Sequence, residues 1–410
     1  MVSFCNLCSL LLAFSFAFLS RFENFVDART QDHYNSTASL STRWTNNATA
    51  YPDARFGNSV TIRAILVRGK EASGPAYACG FYCQFDCSTF LFAIFRVPIQ
   101  GGALFVQSET EFPEVVWSAN RNNGVKIGAT LELTSEGDLV LKDADGTVAW
   151  STNTSGKSVV GLNMTDSGNL VLFDKNNATV WQSFDQLTDT LVPGQKLMAG
   201  QKLMTADGMI TLSVNDYGFS AQMQTSPPQI YYQTLVKYPT NKIKSPYLEL
   251  VNGSLALFSD STTILASLPV PRASSLQHIQ LGLDGHLGLY EYGTPLGLVT
   301  DLLTEYIGIC GYPTACGQYG ICSGGACSCP ASNGGASYFK PVDDKQPNLG
   351  CSENVSLSCG ASQYQSFLEL QNVTYFTFTA DLENVDASSL WIGSHSRQLL
   401  LTDSVVYTCQ

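Results

Sequence analysis

A strand–turn–strand unit closed by tryptophan occurs twice in succession between Leu131 and Trp181. The second copy lies in LNMTDSGNLVLFDKNNATVWQSFDQLTDTLVPGQKL, Leu162 to Leu197. Leu170, Leu172 and Val180 alternate with residues of other character, as one face of a buried strand requires. Asp174-Lys175-Asn176-Asn177 supplies a turn between Phe173 and Val180. The first copy is LELTSEGDLVLKDADGTVAWST, with Asp145-Gly146 at its turn and Trp150 at its end. Hairpins recurring at about thirty residues mark a repeat architecture in which no single unit buries its own apolar face.

Length and composition narrow the class. At 410 residues, two or three domains are expected. Apolar residues make up 44% of the chain and charged residues only 14%, which suits an all-β protein with a hydroxyl- and amide-rich surface. The net charge of −12 and the lack of Lys/Arg clusters argue against nucleic-acid partners.

Leu7 to Leu19 is an uncharged apolar run, too short to span a bilayer, with small residues near Val26 and Ala28 for cleavage. Residues 1–28 therefore read as a secretory signal. No Lys or Arg precedes the run and Arg21 and Glu23 follow it early, so an uncleaved anchor is the alternative. Sequons at Asn35, Asn47, Asn153, Asn163, Asn177, Asn252, Asn354 and Asn372 support a secreted glycoprotein. No later segment reaches the eighteen apolar residues of a transmembrane helix.

Cys310, Cys316, Cys322, Cys327, Cys329 and Cys351 form a dense group with Gly and Pro between them. Few apolar residues lie among them, so disulfides must hold this segment together. Fifteen pairings of six cysteines are possible. A zinc site competes poorly, because Cys327 and Cys329 are separated by one residue and no His is near. Cys79, Cys83 and Cys87 allow one local bridge and leave one thiol over; the partners of Cys359 and Cys409 stay open.

The residues Gly168-Asn169-Leu170-Val171-Leu172, Trp181-Gln182-Ser183-Phe184-Asp185, Thr188-Asp189-Thr190-Leu191 and Pro193-Gly194-Gln195 resemble the bulb-type lectin domain of plant G-type lectin receptor kinases and S-locus glycoproteins. With the cysteine-rich segment, the resemblance covers roughly Phe56 to Ala387. It implies an all-β fold of tandem β-prism domains, an EGF-like module and a PAN-like segment. The expected organisation is a signal peptide at 1–28, a glycosylated leader at 29–55 whose Trp44 docks on the first domain, a lectin domain at 56–181, a divergent second lectin-like domain at 182–305, the EGF-like module at 306–351 and a truncated PAN-like segment at 352–410.

LVNGSLALF and LGLDGHLGLY echo the earlier units and carry the second domain. The doubled GQKLMAGQKLM, Gly194 to Met204, reads as a duplication in a loop. For the EGF-like module the resemblance implies Cys310–Cys322, Cys316–Cys327 and Cys329–Cys351; the residues before Cys310 lack the carboxylate and amide cluster of calcium-binding modules, so no calcium is expected. After Asp386 the family places a string of cysteines, whereas this chain reads SSLWIGSHSRQLLLTDSVVYTCQ, so a truncated or spliced product is expected. In the implied prism Trp117, Trp150 and Trp181 pack around a pseudo-threefold axis, as core before ligand platform.

Lectins of this family bind mannose through QxDxNxVxY, in which amides and a carboxylate bond sugar hydroxyls, Val packs on the ring and Tyr adds a hydroxyl. The motif falls on Thr134, Glu136, Asp138, Val140 and Lys142, then on Thr165, Ser167, Asn169, Val171 and Phe173, and in the divergent domain on Gly282, Asp284, His286, Gly288 and Tyr290. No copy is intact, and each unmatched polar group costs affinity. The candidate sugar residues are Glu136, Asp138, Val140, Asn169, Val171, Phe173, Asp284 and Tyr290. The competing reading makes Asn169, Asp138 and their neighbours turn and fold residues and Val140 and Val171 core; partial sites still gain affinity by acting together.

Enzyme motifs fail. Gly156-Lys157-Ser158 lacks the glycine a phosphate loop needs at Ser151, and neither GxSxG nor HExxH occurs. His33, His278, His286 and His395 are scattered, and Asp143-Ala144-Asp145-Gly146 is a hairpin turn before it is a calcium loop. No cofactor or metal is expected. The partners implied are glycans or glycoproteins and related receptor kinases, met outside the cell, with membrane attachment only through a longer form or the N-terminal anchor. Non-catalytic recognition is thus the first reading; a receptor fragment acting as decoy without sugar binding is the second. Enzymatic activity requires a longer form carrying a kinase domain.

Overall fold

The computed structural model describes residues 34–49, 53–57, 59–106, 112–226, 228–236, 245–293, 297–331 and 339–354. The signal segment, Asn372, Cys359, Cys409 and nearly all of the PAN-like stretch lie outside the described residues. The described chain is almost entirely antiparallel β-structure.

Two units of three sheets account for most of it. In the first, sheet A joins Thr37–Ser39 to Val159–Met164, Leu170–Asp174 and Thr179–Gln182. Sheet B joins Thr42–Thr45 to Thr130–Leu133, Leu139–Lys142 and Val148–Ser151. Sheet C holds Ala54–Phe56, Val60–Gly69, Gly74–Gln84, Leu91–Gln100 and Ala103–Leu104, with Glu114–Ser118 also paired to Leu91–Gln100.

The second unit repeats this threading. Its first strand, Thr190–Leu191, joins its last three, Gln277–Leu281, Leu287–Glu291 and Leu298–Asp301, as sheet A′. Its second strand, Lys196–Met198, joins Tyr247–Val251, Ser254–Phe258 and Ile264–Pro269 as sheet B′. Sheet C′ is Lys202–Met204, Ile210–Asn215, Gly218–Met223 and Gln229–Leu235.

A single local rule builds all six sheets. The hairpin strands alternate, so that Leu139 and Leu141 are buried while Val140 and Lys142 are not. At one register position the partner strand inserts an extra residue, after Leu141↔Trp150, Leu172↔Trp181 and Ile94↔Trp117 in the first unit. The same bulge follows Ala221↔Tyr232, Leu257↔Ala266 and Leu289↔Thr300 in the second. A bulge bends and twists its strand, which turns each sheet end inward.

In the first unit the three bulges deliver three indoles to one point. Trp117, Trp150 and Trp181 meet pairwise edge to face, with ring centroids 5.8–6.1 Å apart. In the second unit Tyr232, Ala266 and Thr300 hold those positions, and Leu, Ile and Val side chains fill the core. Sheet C is buried on both faces: Phe92 and Ile94 face the indoles, while Ala93, Phe95 and Val97 belong to a second apolar layer.

Two expectations are corrected here. The leader at 29–55 is not separate from the lectin unit, because Thr37–Ser39 and Thr42–Thr45 close the open edges of sheets A and B, and Trp44 is 5% exposed within the core. Exposed Ser and Thr hide strand character in such a segment, although β-branched Thr suits a pleated edge. The doubled GQKLM is not a loop duplication. Each KLM is an edge strand, of B′ and C′ respectively, so the repeat marks the chain's passage from one sheet to the next.

Candidate functional site

Each outer-face candidate sits where the middle strand of a sheet meets the segment just past its closing position. Asp138 accepts hydrogen bonds from Ser151 Oγ and Thr152 Oγ1 at 2.7 Å and from the Thr154 amide at 3.1 Å. Burial pushes its carboxyl up, but these donors together outweigh that and hold it below the usual carboxylate range. Asn169 donates to Gln182 Oε1 at 2.8 Å and accepts from Ser183 Oγ and the Phe184 amide at 3.2 Å. His286 Nδ1 lies 3.1 Å from Asp301 Oδ2.

Asp138, Asn169 and His286 all stand at the motif's Asn position, and all three fasten the middle strand to the segment after the Trp or its Thr300 counterpart. Leu139 N donates to Thr152 Oγ1 and Leu170 N to Ser183 Oγ, both at 3.0 Å, extending the fastening by one residue. The motif's Asn position therefore serves the fold in all three copies.

The remaining positions fall on the outer faces. Val140 and Val171 are half-buried there, while Leu139, Leu141, Leu170 and Leu172 face inward, so the core reading of the two valines is corrected. The strand's period of two leaves no other choice once the leucines are inside. Phe173 lies across Gly161, where a Cβ would stand 2.7 Å from its ring, and Tyr290 lies likewise across Gly288 at 2.6 Å. Tyr290 also stacks on His278 with centroids 5.2 Å apart. Glu136 is exposed and bonded to Ser135 Oγ at 2.6 Å, which lowers its pKa.

Asp284 Oδ1 caps the His286 amide within its own turn at 3.2 Å. In sheet A, Asn163 stands directly opposite Val171. The structure thus places Asn169, Val171 and Phe173 on or beside the middle strand of one sheet, Val140 with Asp138 and the turn residue Glu136 at a second, and Tyr290 with the turn residue Asp284 at a third.

The hydroxyls and amides that complete these clusters escaped the motif reading: Ser151, Thr152, Thr154, Gln182, Ser183 and Asp301. A usable signal was present, since a polar residue follows Trp150 and Trp181 at once in WST and WQS.

Beyond the second unit, the sulfurs are joined Cys310–Cys322, Cys316–Cys327 and Cys329–Cys351. Cys83 bridges Cys87, and Cys79 is a buried thiol that burial pushes up to about 12. Asp301 ties this module on: Tyr312 Oη donates to it, and the Tyr312 ring stacks on His286 with centroids 3.7 Å apart. Burial pushes Asp301 up, but the donors His286, Tyr312 and Thr304 outweigh it and hold it well below the usual range. The hydrogen bond to Asp301 raises His286 above 6.5.

Of the sequons, Asn35, Asn153, Asn177, Asn252 and Asn354 are exposed, and Asn47 and Asn163 are half-buried. Among the described residues there is no cluster of His, Cys, Asp and Glu able to hold a metal ion, and no helix long and apolar enough to cross a membrane.

Three-sheet units with fastened corners and a disulfide-rich C-terminal region define an all-β, lectin-type protein. A family model described as D-mannose binding lectin matches residues 114–213. The chain is 34% identical over 267 residues to the epidermis-specific secreted glycoprotein EP1 of Daucus carota, covering 53% of this chain and 68% of that protein. It is 32% identical over 264 residues to EP1-like glycoprotein 2 of Arabidopsis thaliana, covering 53% and 58%. It is 28% identical over 307 residues to a G-type lectin S-receptor-like serine/threonine-protein kinase of the same plant, covering 69% and 34%.

The chain belongs to the bulb-type lectin family that contains the EP1-like glycoproteins and the G-type lectin S-receptor-like kinases. It spans 58%, 57% and 57% of the length of three EP1-like glycoproteins it matches. Among solved structures, the two-domain fetuin-binding agglutinin of Scilla campanulata overlaps 65% of this chain and 95% of its own at 15% identity, with a TM-score of 0.24. A monomeric mannose-binding lectin of Gastrodia elata overlaps 29% and 94% at 18% identity, with a TM-score of 0.17.

Proposed function

We propose that this chain is a secreted, glycosylated recognition protein that binds mannose-type glycans or glycoproteins without catalysis. The observation that carries the reading is the D-mannose binding lectin match over residues 114–213, which includes the outward-facing Val140 and Val171. The two EP1 relatives are glycoproteins by name, and the Daucus carota protein is called secreted. The exposed sequons and the disulfides accord with an oxidising, extracellular setting.

The sheet-face sites are built around Val171, Phe173 and Asn169, around Val140, Glu136 and Asp138, and around Asp284 and Tyr290. Each is weak alone, because its most polar member already has partners within the fold. Affinity then comes from several sites engaging one branched or surface-bound glycan. A glycan array probed with the glycosylated, secreted protein tests this: signal on mannose-containing structures supports it, and silence at high protein concentration removes it. Silence would favour the second reading, a partner or decoy of related receptor kinases that meets protein instead of sugar. The specific support for that reading is the fastening role of Asp138, Asn169 and His286.

A further inference from the structure

Where the two units meet, a cleft of about 660 Å³ opens beside the indole triangle, within the ~300–1,000 Å³ usual for small-molecule sites. One wall presents the half-buried ring of Trp150, backed by the nearly buried Trp117. Trp117 is fixed by its Nε1 donating to Gln186 O at 2.8 Å, and Trp150, half-buried, meets it edge to face at 5.9 Å. The opposite wall is the Gly200–Lys202 turn, the crossing between sheets B′ and C′. Arg121 holds the walls together by donating to Met204 O at 2.9 Å and Asp189 Oδ2 at 2.5 Å.

The polar lining keeps hydrogen-bonding capacity. Among the described residues, Gln201 accepts from Met198 N through Oε1, which leaves its NH₂. Asn122 donates to Ala206 O, which leaves its carbonyl, and Asp185 uses one oxygen for Gln182, which leaves the other. Charge nearly cancels: Arg121 is paired with Asp189, and Lys202 faces the lining together with Asp185. An indole wall, amides that both donate and accept, and near-neutral charge suit a polyol ring with apolar C–H faces and many hydroxyls. A phosphate or polyuronate would call for an excess of cations.

We propose that this inter-unit cleft is a binding site for a short neutral oligosaccharide, separate from the sheet faces. The proposal rests on the glycan-recognition reading but not on the motif positions. The cleft needs residues from both units, Trp150 and Asn122 from one and Gln201 and Lys202 from the other.

The full-length secreted protein is titrated with mannotriose, cellotriose, xylotriose and tri-galacturonate, with tryptophan emission and calorimetry as readouts. The expected result is a saturable emission change with at least one neutral trisaccharide. The rim variant Gln201→Glu/Lys202→Ala, which keeps an acceptor for the Met198 amide while replacing the Gln201 NH₂ and the exposed Lys202, weakens that binding at least tenfold. Trp150 is left intact because its loss would disturb the core. Wild-type affinity in the rim variant, with binding abolished by Val171→Arg, overturns the cleft and leaves glycan recognition standing. Preference for tri-galacturonate overturns the neutral ligand. Silence toward all four and toward the glycan array removes the underlying reading as well.

Discussion

Asn169 is 8% exposed and joins three partners that lie beyond Trp181 in sequence. Removing its amide strands Ser183 and the Phe184 N–H, so Asn169→Ala should cost about 1–3 kcal/mol, read as a lower urea midpoint at unchanged slope. Asp138 predicts a pH response. Its folded-state pKa is depressed, so its contribution is present above the unfolded value and lost as pH falls through the folded value. Asp138→Asn should therefore flatten the acid limb of the stability curve.

His286 has the opposite sign. Its pKa is raised above 6.5 by Asp301, so its contribution is complete below 6.5 and lost as pH rises past the folded value. The stability gap between wild type and His286→Asn should be wider at pH 5.5 than at pH 8.5 in parallel denaturation curves. A fold role for Asp138 and Asn169 was the competing reading of the degraded motif, but their partners, and the role of His286, were not legible from QxDxNxVxY. A ligand motif and a corner fastener use the same side-chain chemistry, and only the partners tell them apart.

At the scale of the strand, sequence and structure agree best where one face is leucine. Leu139/Leu141 and Leu170/Leu172 alternate, and the alternation decides their facing. Sheet C was harder to read, because it is buried on both sides and its strands run nearly continuously apolar. Gly80 reports how tightly that sheet is built: a Cβ there would lie 2.1 Å from Arg63 O, at the bulge between Ala64 and Leu66. Gly80→Ala should destabilise the first unit by several kcal/mol or prevent its secretion, whereas Gly146→Ala, with open space around a turn glycine, carries only the strain of its positive φ. Comparing secreted yield and melting temperature of the two variants checks this.

Across the whole molecule, Arg96 couples the units. It is fully buried in sheet C, pairs with Glu114, donates to Leu276 O and lies 5.6 Å from the Tyr292 ring. Burial pulls its guanidinium down to about 10, so it remains charged at neutral pH. Arg96→Ala leaves the half-buried Glu114 and Leu276 O without this partner and should lower the melting temperature of the protein. It should also split a single calorimetric transition into two, since the units lose a shared anchor. A single transition at the wild-type temperature would show that the units are joined without it.

Hairpin periodicity, turn residues and closing tryptophans made the all-β class and the repeat legible in the chain itself, because alternation with period two is a local property. Tertiary structure alone decided that Thr37–Thr45 completes two sheets, that the GQKLM repeat is a crossing between sheets, and which segments Asp138, Asn169 and His286 fasten. It also brought Trp150 and Gln201, distant in sequence, to one cleft. Pairing of edges and the spending of polar groups depend on neighbours distant along the chain, and no local pattern encodes which neighbour arrives.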